Sequence, residues 1–311
     1  MRTCPLCRAA DVQVLEVLDG EALNRRWERA FGLVRPLRAD RLLYLACSDC
    51  HLRFFDPMEV GGPNLYESLQ RFDWYYMAHK PEFRTALPHL GDAESVLEIG
   101  AGTGAFANYV GDRRYVGLEL NEHAVAVARQ AGIELLEEAV QPHANRGLRY
   151  DAVVAFQVLE HVEDPRAFLQ SCLRCLTPSG RLIVAVPTIE GFVGSAVNVL
   201  LNMPPHHVSH WFDQTFESIA ELLGIRLLAL EHEPIAEFHK PWARAVLMEQ
   251  RLRRLLRLRP QLLDTRSRAL MVARIANLLS RLDRTSLDGV AGHSVIAVFE
   301  NSQSRAIDAP Q

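Results

Sequence analysis

Residues 95–106 read S-V-L-E-I-G-A-G-T-G-A-F, an apolar run with one acid followed by glycines on alternate positions. This order predicts a buried strand, a tight turn and the start of a helix. Glycine suits the turn because the backbone must bend sharply and let a ligand come close. The N-terminus of the helix offers unpaired N–H groups to a polar ligand. The spacing is G-x-G-x-G and not the G-x-G-x-x-G of dinucleotide-binding enzymes, which argues against NAD.

The chain after this turn alternates strand-like and helix-like segments. Apolar runs predict four more strands, at 115–120, 133–136, 151–156 and 181–186. The pattern predicts an α/β fold, a doubly wound and mostly parallel sheet that binds ligands at the carboxyl ends of its strands. Glu119 lies at the end of the second strand, where a carboxylate can accept both ribose hydroxyls of an adenosine. Together, the turn and this acid favour S-adenosylmethionine as the ligand.

The composition is typical of a globular protein. The chain has 311 residues, 49% of them hydrophobic and 23% charged, with a formal net charge of −4. The acidic balance argues against nucleic acid as a partner. No secretion signal or bilayer-spanning apolar run is evident, so we expect a cytoplasmic protein. In that compartment its six cysteines are not expected to form structural disulfides.

Two C-x-x-C pairs, Cys4/Cys7 and Cys47/Cys50, lie near the start of the chain. Each pair can place two thiolates on one tetrahedral ion, so together they predict a structural zinc ribbon over residues 1–58. The alternative is a pair of unrelated reduced thiol motifs. A zinc ribbon can bind nucleic acid, a partner or a substrate, or it can brace the fold, and the sequence does not choose among these roles.

Four motifs occur in the order and spacing of a known family. They are V-L-E-I-G-A-G-T-G at 96–104, Glu119, F-Q-V-L-E-H-V-E-D-P at 156–165 and L-T-P-S-G-R-L at 176–182. Over about residues 80–235 the chain resembles class I S-adenosylmethionine-dependent methyltransferases. With the leading cysteine pairs it looks like the bacterial small-molecule branch, which includes sugar and natural-product methyltransferases. Its core is also similar to the quinone-biosynthesis O-methyltransferases.

This resemblance implies a layout for the whole chain. A Rossmann-like seven-stranded sheet would occupy residues 59–300. Its sixth strand is expected at 225–230 and its last strand at 293–300, antiparallel beside the sixth. A helical insertion at 240–286 would precede the last strand, and residues 301–311 would form a tail.

The resemblance also implies cofactor-binding roles. Glu98 would anchor the glycine turn, Glu119 would hold the ribose hydroxyls, and Leu120 would pack near the adenine. The turn, formed by Gly100, Ala101, Gly102 and Gly104, would approach the methionine part of the cofactor. Phe156 and Gln157, at the end of the fourth strand, would close that side of the pocket. Val140 stands where an acid often contacts the adenine amine, so Glu138 or a backbone group would have to supply that contact.

Three histidines and one acid are candidates for the acceptor side of the pocket. Glu160 and His161 follow the fourth strand, at the carboxyl edge of the sheet. His206 and His207 lie in a proline-containing segment, 191–212, that we expect to cover the substrate as a lid. A histidine with a near-neutral pKa is a suitable base for an acceptor hydroxyl or amine, so these four residues are the catalytic candidates. The alternatives are a helix-start pair held by the backbone and a turn whose histidines only pack or cap.

Two other features bear on the pocket. The loop at 157–161 resembles the E-x-x-E-H loop of the quinone O-methyltransferases, which resembles a divalent-metal site. Gln157 replaces the first acid, so a metal is not predicted at this loop. Tyr75 and Tyr76 belong to an aromatic segment that either packs as a helix or lines the pocket.

The insertion at 240–286 is basic and amphipathic. It contains twelve Lys or Arg residues against three acids, with apolar residues at helical spacing. This pattern favours a solvated face over an apolar stripe that packs on the sheet or on a second subunit, as in a homodimer. It also fits an anionic substrate, such as a nucleotide-linked sugar or phosphorylated glycan, or peripheral contact with an anionic membrane.

These features predict transfer of a methyl group from S-adenosylmethionine to a small-molecule acceptor. Our first choice of acceptor is a hydroxyl of a sugar, glycan or natural-product intermediate, and N- or C-methylation is an alternative. A second hypothesis is a non-enzymatic zinc-ribbon scaffold with a cofactor-like domain. A third is nucleic-acid modification, which the net negative charge and the lack of an N-P-P-Y-like motif after the fourth strand disfavour.

Overall fold

Two β-sheets organise the protein, whose computed structural model describes residues 2–72, 75 and 77–301. The strands are β1 Val12–Asp19, β2 Arg41–Cys47, β3 Arg53–Asp56, β4 Ser95–Ile99, β5 Arg114–Leu118, β6 Leu135–Leu136, β7 Tyr150–Phe156, β8 Leu176–Pro187, β9 Ser209–His210, β10 Arg226–Pro234 and β11 Ala291–Glu300. The helices are α1 Gly20–Phe31, α2 Pro63–Gln70, α3 Pro81–Leu90, α4 Glu122–Gln130, α5 Val140–Ala144, α6 Pro165–Arg174, α7 Asp213–Leu223, α8 Lys240–Leu255 and α9 Ser267–Ser280. The predictions for Tyr76 and for the tail beyond Asn301 lie outside the described residues.

The larger sheet has seven strands in the order β10-β11-β8-β7-β4-β5-β6. Strands β4 to β8 run parallel, whereas β11 lies antiparallel between β8 and β10. The predicted mostly parallel seven-stranded sheet is therefore confirmed, with its antiparallel last strand. The strand order reverses between β4 and β7, so a ligand crevice forms outside the carboxyl ends of these two strands. The glycine turn follows β4 and the Glu160–His161 pair follows β7, which places both at this crevice.

Apolar side chains cover both faces of this sheet, as expected for parallel strands. Leu97 and Ile99 of β4 enter the cluster on one face, and Val96 enters the cluster on the other. The first cluster also contains Leu45 and Phe54 from the N-terminal strands. The N-terminal segment therefore shares a core with the large sheet.

The smaller sheet is antiparallel and has the order β1-β2-β3-β9. Its first three strands come from the cysteine-bearing segment. Strand β9 comes from the segment 191–212, which was predicted as a lid and is also called the histidine segment below. Phe54 pairs with Ser209, and the N–H of Phe55 donates to the carbonyl of Val208 over 3.0 Å. Two residues of the segment predicted as a lid, Ser209 and His210, thus form the edge strand of the N-terminal sheet.

The predicted insertion forms the helices α8 and α9, and the chain between them is bound to two other segments. The Glu16 carboxylate of β1 accepts the N–H groups of Leu262 and Leu263 over 2.7 and 3.2 Å. The side-chain amide of Asn198, in the lid segment, donates to the Asp264 carbonyl over 3.0 Å. β1, the lid segment and the insertion therefore meet at one place.

Apolar and basic side chains are exposed together on α9 and just after it. Met271 and Leu278 of α9 are 60% and 63% exposed, and Arg274 between them is also exposed. The exposed Arg281 and Leu282, the latter 78% exposed, follow the helix. Within the described ranges, no helix is both long and apolar enough to cross a membrane.

Local structure departs from the sequence prediction in several short segments. The helix predicted to start after the glycine turn is a short 3-10 turn, Ala105–Asn108, and the strand predicted at 133–136 is reduced to β6. The segment predicted as a lid contains separate 3-10 turns at Phe192–Ser195 and Leu200–Asn202. Asn198 lies between these turns with a φ of 63°, which no right-handed helix accommodates.

Candidate active site

The turn after β4 requires glycine at each of its alternate positions. Gly100, Gly102 and Gly104 have φ values of 68°, 56° and 77°, a region that L-residues with a side chain rarely adopt. A Cβ on Gly100 would lie 2.5 Å from Cγ2 of Val158, because the turn also passes close to the loop after β7. Ala101, between the first two glycines, lines the same crevice. The path of this backbone therefore depends on glycine.

Glu119 is bound to backbone N–H groups beside the turn. Its Oε2 accepts from the N–H of Gly102 over 2.8 Å, and its Oε1 accepts from Leu120 and Asn121 over 2.8 and 2.9 Å. These bonds fix the carboxylate, and Oε2, which accepts only one of them, can still accept from a further donor. Leu120 is 71% exposed and offers an apolar surface to the cavity.

Glu98 lies buried in β4, next to the turn. Burial raises the pKa of its carboxyl to about 8, although the Tyr115 hydroxyl donates to the carboxylate and opposes the shift. The positive charge of Lys80 also opposes it. The charge state of Glu98 therefore depends on the burial of its carboxyl and on the neighbouring Tyr115 and Lys80.

Glu138, the acid expected to contact the adenine, has partners within the chain. Val140 lines the cavity, and so does Glu138. The Glu138 carboxylate binds Arg146 over 2.6 Å and His143 Nδ1 over 2.7 Å. A donor on a ligand would have to share this carboxylate with these two side chains.

One cavity of about 820 Å³ is lined by residues of both the cofactor side and the acceptor side expected from the sequence. Its wall includes the glycine turn, Glu119 and Leu120, and also the three candidate histidines. A volume of this size is within the usual range of small-molecule sites. The residues predicted for the cofactor side and for the acceptor side therefore line one continuous space.

Contacts fix the two residues at the end of β7. Phe156 packs against the ring of Phe83, with centroids 5.1 Å apart. Gln157 has a φ of 58°, and its amide donates to Glu82 Oε1 over 3.1 Å and to Ser294 Oγ over 3.0 Å. Both residues line the cavity, but the Gln157 amide is bound to this acid and serine.

Three imidazole rings meet in the cavity wall. One ring nitrogen from each of His161, His206 and His207 lies within 4.8 Å of the other two. The Nδ1 atoms of His161 and His206 lie 2.6 and 2.8 Å from the carbonyl oxygens of His206 and Leu201, and Nδ1 of His207 lies 3.1 Å from Oδ1 of Asn202. A carbonyl oxygen only accepts, so the protons lie on Nδ1 and each Nε2 carries a lone pair.

Glu160 is buried beside these rings. Its Oε1 lies 3.9 Å from Nε2 of both His161 and His207. Among the described residues, neither oxygen of Glu160 has a hydrogen-bond partner, and neither does Nε2 of His206. The backbone carbonyl of Glu160 accepts from the N–H of Val208 over 2.9 Å, which joins the loop after β7 to the histidine segment. The structure thus brings the four catalytic candidates into one cluster.

Burial shifts the ionisation of the whole cluster. It raises the pKa of Glu160 to about 8 and lowers the pKa of His161 to about 4. It also lowers the pKa of His206 and His207 well below the usual value for histidine. The rings are therefore neutral near pH 7, when no cation is bound.

The small sheet holds the histidine segment in position. Nδ1 of His210, in β9, lies 2.7 Å from the Tyr44 hydroxyl, and its Nε2 lies 2.9 Å from the carbonyl oxygen of Asn202. The indole N–H of Trp27 donates to the Pro204 carbonyl over 3.0 Å. These contacts come from β2 and α1, so the N-terminal segment orients the histidines of the cavity.

Sequence reasoning missed several residues of the cavity wall. The Tyr66 ring lies 6.1 Å from the ring of His161. Glu82 and Glu233 are both buried there, and burial with the nearby Glu82 raises the pKa of Glu233 to about 9. No local pattern marks these three residues, since they come from separate parts of the chain. Tyr75, one of the two tyrosines that the sequence offered as pocket residues, does line the cavity, in a turn beyond α2 with its ring 6.3 Å from that of His206.

The four N-terminal cysteines converge. The Sγ atoms of Cys4 and Cys50 are 3.5 Å apart, those of Cys7 and Cys47 are 3.4 Å apart, and all four lie within 4.8 Å of one another. Sulfurs bound to one zinc ion at about 2.3 Å would be roughly 3.8 Å apart in a tetrahedron. The cluster therefore fits a four-sulfur zinc site.

A family model described as a methyltransferase domain matches residues 69–230, which is more than half of the chain. The chain belongs to this family. The matched range includes the glycine turn, Glu119 and the histidine cluster. It leaves out the cysteine pairs and the insertion that forms α8 and α9.

Individual relatives match shorter stretches. A probable S-adenosylmethionine-dependent methyltransferase of Mycolicibacterium smegmatis is 32% identical over 138 residues, which are 42% of this chain and 52% of the relative. A ubiquinone biosynthesis O-methyltransferase of Cronobacter sakazakii is 32% identical over 98 residues, which are 29% of this chain and 40% of the relative. The chain thus spans about half the length of the curated relatives it matches.

The fold of the family is also found among solved structures. A SAM-dependent methyltransferase of Archaeoglobus fulgidus matches with a TM-score of 0.51 at 18% identity, over 76% of this chain and 99% of that one. This likeness shows the Rossmann-like methyltransferase fold.

Proposed function

We propose that this chain transfers a methyl group from S-adenosylmethionine to the hydroxyl of a small-molecule acceptor. The shared cavity carries the proposal, because the glycine turn with Glu119 and the cluster of three histidines line the same space. The acceptor class that we propose is a sugar, glycan or natural-product intermediate. N- or C-methylation of a similar molecule is the alternative, and analysis of the methylated product distinguishes these outcomes.

The first half of the cavity fits the cofactor. Gly100 and Gly102 leave the backbone uncovered, Oε2 of Glu119 can still accept from a ribose hydroxyl, and the exposed Leu120 can cover an adenine face. When bound, S-adenosylmethionine supplies an electrophilic methyl group on a sulfonium centre. Glu98 supports this half of the site from within β4.

The second half of the cavity fits an acceptor hydroxyl. The Nε2 atoms of His206 and His207 carry lone pairs, so a hydroxyl can donate to one of them and be oriented by that hydrogen bond. Such a nitrogen can receive the proton as the new bond to oxygen forms. His161 fixes the cluster through its contact with the carbonyl of His206.

We further propose that Cys4, Cys7, Cys47 and Cys50 hold a structural zinc ion. The spacing of the sulfurs supports this assignment. The ion would fix the strands β1 to β3 and, through the pairing of β3 with β9, the histidine segment. Its role would be to brace the acceptor half of the site.

For the insertion, we propose peripheral contact with an anionic membrane surface through α9. Exposed apolar residues such as Leu278 and nearby arginines such as Arg274 support this assignment. Co-sedimentation with anionic vesicles, compared with neutral ones, tests it. A concentration-dependent doubling of mass without vesicle binding would instead indicate a homodimer. A lower KM for phosphorylated acceptors than for uncharged ones would indicate an anionic substrate.

Calorimetric titration with S-adenosylmethionine tests the function most directly. We expect saturable binding by the wild type, loss of binding in Glu119→Ala, and no loss in Glu122→Ala, which removes an exposed carboxylate from the next turn. Absence of binding by the folded wild type would contradict the proposal and favour a scaffold protein. Salt-dependent binding to RNA or DNA would instead favour nucleic-acid modification.

A further inference from the structure

Ring nitrogens of three histidines meet in this cluster beside a buried acid that has no hydrogen-bond partner among the described residues. With Nδ1 protonated, the Nε2 atoms of His161, His206 and His207 all present lone pairs. The carboxylate of Glu160 adds two more oxygens beside them. Buried polar atoms nearly always find a partner, and leaving one without a partner costs about 1–3 kcal/mol.

We propose that His161, His206 and His207 bind a divalent first-row transition-metal ion, with Glu160 as the neighbouring carboxylate. The proposal deepens the proposed function and rests on it only for the role of the ion in methyl transfer. Binding itself is argued from the geometry of the cluster. The sequence did not predict a metal at the loop after β7 because Gln157 replaces an acid there, but His206 and His207 come from another segment.

The outer contacts of the rings are those of metal-binding histidines. A histidine that ligates a metal through one ring nitrogen usually donates from the other to a carbonyl or carboxylate. His161 and His206 have backbone carbonyls at Nδ1, and His207 has the side-chain oxygen of Asn202. All three rings are therefore oriented with Nε2 available to an ion.

The unpartnered atoms give independent support. Nε2 of His206 and both carboxylate oxygens of Glu160 are buried and have no partner in the described part of the chain. A cation beside them would satisfy all three atoms, and its charge would offset the cost of a buried carboxylate. Packing alone gives no reason for three lone pairs and an acid to face each other.

The chemistry of the ligands selects the class of ion. Imidazole nitrogens favour zinc, iron, cobalt or nickel, whereas magnesium and calcium prefer oxygen ligands. Three histidines with a weakly placed fourth ligand are also typical of sites that leave a position open to a substrate. An ion here would bind the acceptor oxygen and lower the pKa of its hydroxyl, whose proton would pass to solvent water. The oxygen would then form its bond to the methyl carbon as the bond between that carbon and the sulfonium sulfur breaks, leaving S-adenosylhomocysteine.

Two distinct sites must be separated in the experiment, because the cysteine cluster also fits zinc. The full chain is stripped of metal, titrated with Co²⁺, and read by absorption and by metal content. Cobalt bound by the cysteines has a sulfur charge-transfer band, which cobalt bound by histidines lacks. We expect two ions per wild-type chain, and one ion with the sulfur band intact in His206→Ala. His123→Ala, which changes an exposed histidine, should retain both.

A milder variant guards against misfolding. Asn202→Ala removes only the outer partner of His207 and should weaken the histidine site by roughly 10–100-fold while leaving the cysteine site unchanged. The proposal is overturned if the wild type binds only the ion with the sulfur band, or if a folded His206→Ala binds as much cobalt as the wild type.

The proposed function is measured in parallel by titration with S-adenosylmethionine. Cofactor binding without a histidine-bound ion would refute the metal site alone. A histidine-bound ion without cofactor binding would refute the proposed function alone. Glu119→Ala should keep both ions, since Glu119 takes no part in the cluster.

Discussion

Nδ1 of His161 lies 2.6 Å from the carbonyl oxygen of His206. This hydrogen bond joins the loop after β7, which belongs to the large sheet, to a segment whose β-strand belongs to the small sheet. The cofactor-side candidates are thus attached to the large sheet, whereas the acceptor-side candidates come from both sheets and meet them in one cavity.

Replacing His161 by Ala is expected to impair the acceptor half alone. The buried carbonyl of His206 loses its donor, so the free energy of unfolding should fall by about 1–3 kcal/mol. Methyl transfer should fall, while the Kd for S-adenosylmethionine stays unchanged, because Glu119 and the glycine turn are untouched. Denaturant unfolding and calorimetry measure the two effects. His89→Ala, which removes a contact with exposed Glu231, is the control and should change neither.

Gly100→Ala is expected to lower the free energy of unfolding by more than the strain of a positive φ alone would. The residue would have to keep a φ of 68° and place Cβ 2.5 Å from Val158. The conformational strain costs about 1–2 kcal/mol, and the contact adds to it. Gly147→Ala is a matched control, because its φ is 74° but nothing lies within 4 Å of the added carbon. Equal loss of stability in the two variants would contradict the role of the close contact.

Glu98→Gln is expected to flatten the pH dependence of stability. The folded chain keeps a proton on Glu98 up to about pH 8, whereas the unfolded chain releases it near 4.5. The folded state therefore binds more protons in this window, and stability falls as the pH rises. This contribution is fully present below about 4.5 and is lost above about 8. Unfolding across the window should show a shallower decline in the glutamine variant, by up to about 1.4 kcal/mol per pH unit.

Tyr44→Phe is expected to loosen the histidine segment. It removes the hydroxyl 2.7 Å from Nδ1 of buried His210 and should cost about 1–3 kcal/mol of stability. The KM for the acceptor should rise, and cofactor binding should persist. Tyr109→Phe removes a comparable bond to His79 at an exposed site and should cost less than about 0.5 kcal/mol. If the two variants lose the same stability, the small sheet does not position the histidines.

Cys47→Ser is expected to release the ion of the cysteine cluster. Metal analysis should show the loss of the ion with sulfur ligands, and the melting temperature should fall because the proposed ion would hold β1 to β3 together. Cys172→Ala changes a fully buried cysteine of α6 and should keep the full zinc content. A Cys47→Ser protein with undiminished zinc would exclude the four-sulfur site.

The cofactor half of the site could be predicted from the sequence because its signals are local. The glycines of the turn lie within a few residues of one another, and Glu119 is recognised by its place at the end of a strand. The structure places Glu119 in contact with the turn, through the N–H of Gly102. Short-range backbone requirements of this kind leave a pattern in the sequence.

The acceptor half could be predicted only in part. His161, His206 and His207 were singled out as candidates, but their convergence depends on β9 pairing with β3, which no local pattern indicates. His210 has the same residue type and lies in the same segment, yet Tyr44 and the carbonyl of Asn202 bind both of its nitrogens. Glu82 and Glu233 were missed because a single acid carries no signal until the fold brings it into a cavity wall.

Because β3 pairs with β9, changes in the N-terminal segment are expected to affect the choice of acceptor but not the binding of the cofactor. Substitutions in β1 to β3 would change the shape of the acceptor side of the cavity, while the residues proposed to bind S-adenosylmethionine stay the same. Exchanging residues 1–58 between relatives should therefore retune substrate preference, although none of those residues lines the cavity.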